Sequence, residues 1–289
     1  MELTVAGLVF AAAAVHPLRE LVLKGNSHPE TGYFGVILTW LVVSATHGLA
    51  TGADFTAAAA VWPQLAVSAC GLVLYYLGIL TAMKTGDMSV YYPIIRAAPV
   101  VIVVIGWAFL GHSYGPALLA GVALVTIGAF FLQFRPGADP FGATTPLIAA
   151  LLALFGMGIQ SLADASAMKV VHAPVLLFWE YLFVAPVCLA YFALRKRPGR
   201  SLGEHLFRGW LVTPGRYLLA AGSSYLSYYL ILTAYKLGGN VAAINSLRQI
   251  SIPLSVVMGG MVLKEAQLGR RFKWSLVLVA GILIIIVTK

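Results

Sequence analysis

Ile79-Leu80-Thr81-Ala82-Met83-Lys84-Thr85-Gly86 begins a stretch that runs on to Arg96, and the chain contains that stretch twice. A shift of 152 residues lays Ile79–Arg96 on Ile231–Arg248. Ile231-Leu232-Thr233-Ala234, Lys236, Gly238 and Arg248 are then identical, seven of 18 positions without a gap. A shift of 145 residues pairs Lys24 with Lys169 and Pro29 with Pro174, so the two copies differ by a small insertion. Shared apolar composition produces chance matches, but it does not align a lysine, a glycine and an arginine. The reading is one duplicated unit, residues 1–140 and 141–289.

The medium these units occupy follows from composition. Of 289 residues, 60% are hydrophobic and only 10% charged, and mean hydropathy is +0.90. Roughly a quarter of a soluble domain is charged, so this chain has too little polar surface to face water all round. Ten apolar segments are read at 3–23, 33–50, 60–82, 88–110, 116–134, 146–168, 174–194, 216–235, 241–263 and 274–288. Most approach the ~20 residues needed to cross ~30 Å of hydrocarbon. Breakers punctuate them, including Gly25-Asn26-Ser27, Pro136-Gly137, Gly238-Gly239-Asn240 and Gly269-Arg270-Arg271. The first segment lacks a basic leader and a small-residue cleavage motif, and is read as a retained span. The expected class is an all-α integral membrane protein of about ten helices. With five spans per unit, the second unit enters from the opposite face, which makes the repeat an inverted one. That plan suits transporters.

Leu80-Thr-Ala-Met-Lys84, Tyr92-Pro93-Ile-Ile-Arg96 with Pro99, and Leu110-Gly111 resemble the drug/metabolite transporter superfamily, EamA type. Leu247-Arg248-Gln249-Ile250-Ser251, Leu263-Lys264-Glu265 and Gly281-Ile282 carry the likeness through the second unit. The resemblance implies ten spans, no cofactor, and a small-metabolite site between the repeats near mid-membrane. Two departures stand out: many such proteins place an acid before the proline of the fourth and ninth spans, where this chain has Ala98 and Ile252. Many also place a basic residue in the second and seventh spans, where it has none and Glu180.

Arg19, Glu20, Arg96, Asp164, Glu180 and Arg248 fall inside the segments. Each costs at least ~2.5–3.5 kcal/mol unpaired at the bilayer centre, so each should face protein or a wet cavity. Arg96 stands eight residues after Met88 and Arg248 eight after Asn240, each about 12 Å deep at ~1.5 Å per residue. They are the leading candidates to grip a carboxylate, phosphonate or phosphate with the two-donor guanidinium fork; mutual neutralisation by internal acids is the alternative. Tyr92, Asn245 and Gln249 are expected beside them. Asp164 and Glu180 are expected to approach Arg248, giving a site of both signs that suits a zwitterion or an anion. His16 and Glu20, at i and i+4 beside Pro17, are candidates to carry a coupling proton; a histidine donating to a carbonyl freed by Pro17 is the plainer reading. Cys70 and Cys188 read as packing residues without metal-ligand spacing.

The net charge of +9 sits in short connections and does not imply nucleic acid. Ten spans place both termini on the side holding Lys169, Lys236 and Lys289, and the other thirteen basic loop residues opposite. Lys/Arg bias then predicts a cytoplasmic 195–215 connection and both termini outside, in a bacterial inner membrane. The expected partners are lipid and a small solute, with the protein a monomer or homodimer. A secondary carrier fits best; an intramembrane enzyme lacks a clustered nucleophile or metal motif, and a non-transporting receptor leaves the duplication unexplained.

Overall fold

The computed structural model describes residues 1–23, 29–134, 137, 139, 141–194, 201–254 and 268–287, and among these there is no strand. The helices are α1 (Leu3–Leu23), α2 (Pro29–Ala50), α3 (Trp62–Thr85), α4 (Met88–Ile95), α5 (Ala98–Leu110) and α6 (Pro116–Gln133). They continue as α7 (Thr144–Ala167), α8 (Ala173–Leu194), α9 (Leu202–Val212), α10 (Pro214–Lys236), α11 (Val241–Arg248) and α12 (Leu268–Val287). A 3₁₀ turn, Phe55–Val61, leads into α3, with the Asp54 carboxylate accepting from the Thr56 main-chain N–H at its start. Among the described residues six helical stretches are long and apolar enough to cross a membrane: Gly32–Ala50, Phe55–Thr85, Val90–Leu110, Pro116–Gln133, Thr144–Ala167 and Ala173–Leu194.

Outward-facing Val, Leu, Phe and Trp cover much of the bundle, among them Val104, Trp107, Leu152, Phe155 and Phe183. Lipid provides that surface with apolar contact, so burying these residues inside adds nothing; close packing must come instead from small residues. Helix α3 lies against α7, α6 against α12, α1 against α10 and α2 against α8. In the first two seams glycine lets backbone meet backbone. A Cβ on Gly71 would stand 2.7 Å from the Gly156 carbonyl oxygen, and one on Gly156 would stand 2.5 Å from that of Gly71. Gly121 and Gly281 face each other the same way across α6 and α12.

The segments 88–110 and 241–263, each read as one span, are not continuous helices where they are described; residues 255–263 lie outside the described residues. Both break at the arginine. Helix α4 ends at Ile95, and Ala97 N–H turns back to the Ile94 carbonyl at 3.0 Å before α5 starts at Ala98. Pro99 has no N–H for the Ile95 carbonyl, and its ring displaces that carbonyl from the helical path. In the second unit α11 ends at Arg248. Gln249 N–H bonds Ser246 and Ile250 N–H bonds Leu247, both at 3.0 Å, and helix resumes at Ser251 ahead of Pro253. These i→i+3 bonds are the tight 3₁₀ form that marks a helix under interruption.

The 195–215 connection holds the short helix α9. Phe207 packs edge-on against Phe34 at 5.9 Å and Trp210 stacks on Tyr217 at 5.4 Å, while Leu211 and Val212 stay exposed. Residues 195–200 of that connection lie outside the described residues.

Candidate functional site

The helix breaks place Arg96 and Arg248 at the carboxyl ends of α4 and α11, where the half-helix dipoles favour a cation. Both side chains reach the same small cavity, of about 70 Å³, among α1, α2, α3, α7, α8 and α10. Arg19 and His16 enter it from α1, Tyr75 and Tyr76 from α3, Gln160 and Ser161 from α7, and Tyr228 from α10. Three guanidinium groups thus converge, and no acid stands among the described residues lining the cavity.

Each arginine is held by an aromatic. The Arg96 guanidinium lies 5.0 Å from the Tyr92 ring centroid and donates from Nη2 to the Tyr92 hydroxyl at 2.6 Å. Arg19 lies 5.2 Å from the Tyr33 ring and Arg248 5.4 Å from that of Tyr228. Such contacts orient a cation and partly offset its lost hydration. They do not neutralise it. Among the described residues Arg248 makes no ion pair with an acid, and its buried Nε has no hydrogen-bond partner.

The expected approach of Asp164 and Glu180 to Arg248 is not what the structure shows. Both carboxyls are fully buried and neither lines the cavity. The Ser68 hydroxyl reaches Asp164 Oδ1 and Glu180 Oε1, and the Tyr228 hydroxyl donates to Asp164 Oδ2. A hydroxyl and two carboxyls held face to face give the acids a local solution; the Tyr228 ring then stands between them and Arg248.

His16 lines the cavity with its Nε2 3.3 Å from Arg96 Nη2. A guanidinium carries only donors, so Nε2 is the acceptor and the ring proton is on Nδ1. The Glu20 side chain, its expected i+4 partner, lies outside the described residues. Gln249 does stand beside an arginine, but through the backbone: its Nε2 donates to the Arg96 main-chain carbonyl at 2.5 Å. Asn245 donates to the Tyr235 hydroxyl at 2.6 Å and accepts from Ser161 Oγ at 3.4 Å, without reaching Arg248.

Sequence reasoning misses Trp40, Ser68, Gln160, Ser161 and Tyr181. Trp40 lies 4.8 Å from the Tyr181 ring and 5.9 Å from that of Tyr228, closing one wall of the cavity. Gln160, Ser161 and Asp164 fall at helical spacing on an otherwise apolar α7, a polar stripe that does mark the inward face. Ser68 carries no such signal.

A wider vestibule of about 790 Å³ lies beyond Ser161, among Gln64, His112, Ser113, Ser166, Lys169, Tyr235 and Asn240. Its rim is formed by the connections after α5, α7 and α10. The Ser161–Asn245–Tyr235 hydrogen bonds run from the small cavity to this vestibule, since Ser161 lines one and Tyr235 the other.

A crystal structure of a protein matches with a TM-score of 0.77 at 18% sequence identity, over 98% of this chain and 96% of that one. At this identity the likeness shows a shared fold alone. No family model and no curated protein matches the chain.

Proposed function

We propose that the chain is a secondary carrier for a small anionic or zwitterionic metabolite, built as ten spans in two inverted five-helix repeats. The carrying observation is Arg248. A guanidinium at the end of an interrupted helix, with no acid among the described residues in contact and a bare buried Nε, is costly unless an anion completes it. Arg96 and Arg19 line the same cavity, so a carboxylate, phosphate or phosphonate can be met by planar two-donor contacts. Trp40 and the tyrosines offer apolar faces and hydroxyls to the rest of the solute.

The helix pairing supports the inverted repeat. Exchanging the first five spans with the second five turns the α3–α7 pair into α10–α1, and returns α2–α8 and α6–α12 to themselves; all four pairs are present. The interrupted fourth and ninth spans, with an arginine at each break, agree with it. Broken helices at a repeat interface are where such carriers place their sites. The likeness to EamA-type transporters read from Leu80–Arg96 and Leu247–Ser251 points the same way.

The test is uptake into sealed liposomes of radiolabelled inorganic phosphate, methylphosphonate, succinate, glutamate and glycine. Saturable entry of at least one, absent with the Arg248→Ala protein, is expected. If every probe stays outside, the receptor or enzyme readings return.

A further inference from the structure

We infer that Asp164 and Glu180 form the proton site of the carrier, with the proton residing on Glu180 and Tyr228 linking the pair to Arg248. The inference rests on the carrier reading for its purpose, but not for its chemistry. Ser68 has one hydroxyl proton, and its Oγ stands within hydrogen-bond reach of both carboxyls. One proton serves one acceptor, so the other carboxyl must bring a proton of its own.

The surroundings assign it. Asp164 has two donors, Ser68 Oγ on Oδ1 and the Tyr228 hydroxyl on Oδ2, which suits the anion. Glu180 meets only Ser68 and the Asp164 carboxyl itself, and its buried Oε2 has no donor. An orphan oxygen is far cheaper on a neutral acid than on a carboxylate. No metal-holding cluster occurs among the described residues. The groups facing the pair are Ser68 from α3, Tyr181 from α8, and Tyr228 and Tyr235 from α10; none is a cation.

The link to the solute site is Tyr228. Its hydroxyl bonds Asp164 while its ring carries Arg248 at 5.4 Å. Loss of the Glu180 proton puts a second negative charge behind that ring. This draws Arg248 toward the acids and away from a bound anion, so proton and anion occupy the protein together. His16 is the weaker proton carrier, because Arg96 already occupies its Nε2 lone pair.

Infrared difference spectroscopy on the purified full chain near neutral pH tests the site without any solute. A protonated-carboxyl stretch is expected in the wild type and its loss in Glu180→Gln; its absence from the wild type, or its persistence in Glu180→Gln, overturns the assignment. Should Glu180→Gln fail to fold, Ser68→Ala serves, because removing Oγ must shift the band, and an unmoved band overturns it equally. In liposomes loaded with buffer and given radiolabelled phosphate or succinate, an acid-outside gradient should accelerate wild-type uptake, and Glu180→Gln should lose that acceleration. Acceleration by a sodium gradient alone overturns the proton role. If no probe enters wild-type liposomes, the carrier reading fails, while the infrared band still decides whether the pair holds a proton.

Discussion

Gln249 donates its side-chain amide to the main-chain carbonyl of Arg96 across 2.5 Å, joining the break in one unit to the break in the other. A carbonyl at an interrupted helix end has lost its i+4 donor and cannot turn to water inside a bilayer. The contact therefore holds Arg96 in place from behind. Gln249→Leu should leave that carbonyl bare at a cost of about 1–3 kcal/mol. A lower thermal midpoint together with weakened uptake is the expected result, and Gln249→Asn, too short to reach, should resemble it. Unchanged midpoints would show that the bond contributes nothing.

The arginines make a sharper prediction. Arg96→Ala and Arg248→Ala should each abolish uptake of whichever probe the wild type carries, while the proteins remain monodisperse. Lysine should rescue poorly at either position, because a point charge does not reproduce the planar fork. Two folded alanine variants that transport normally would move the site elsewhere.

The glycine seams predict a contrast in stability. Gly156→Ala forces a Cβ to within 2.5 Å of the Gly71 carbonyl oxygen, and backbone cannot yield as a side chain does. Overpacking of this kind costs about 1–3 kcal/mol or more. Gly222→Ala on α10 meets nothing within 4 Å and should be neutral or slightly stabilising. Size-exclusion profiles and thermal midpoints in one detergent separate the two.

How much of this was legible in the sequence depends on what kind of signal each residue leaves. Arg96 and Arg248 stand out because a charge in an apolar run recurs in register. The helix ends follow from Gly, Pro and the length of apolar runs. The breaks at Arg96 and Arg248 do not, because an interrupted and a continuous helix need the same apolar residues; Pro99 and Pro253 are visible, but prolines also occur inside unbroken helices here, such as α1 and α8. Asp164 and Glu180 were recognisable as inward-facing, yet their partner was not Arg248, since pairing is settled by the rotation of α7 and α8 about their axes. Ser68 was invisible: a serine among alanines and glycines on α3 looks like packing.

Orientation is the prediction furthest from the coordinates. The Lys/Arg imbalance predicts a cytoplasmic 195–215 connection and both termini outside. A reporter active only in the cytoplasm should stay dark when fused after Lys289 and light up when inserted near Gly203. The reverse pattern would refute the assignment and with it the side on which the vestibule opens.

The seams that the repeat relates are not built alike. Where α3 meets α7, glycine brings backbone onto backbone; on α1 and α10 the glycines Gly7 and Gly222 are exposed and press on nothing, and these helices are joined instead by the Ser227 hydroxyl donating to the Ala12 carbonyl at 2.8 Å. Under the proposed repeat the two seams are equal in plan and unequal in grip. Parting α1 from α10 thus asks less than parting α3 from α7. For the carrier proposed above, an empty molecule should rest open toward one compartment rather than share its time evenly between two, and a solute arriving from the other side must wait for the rarer posture.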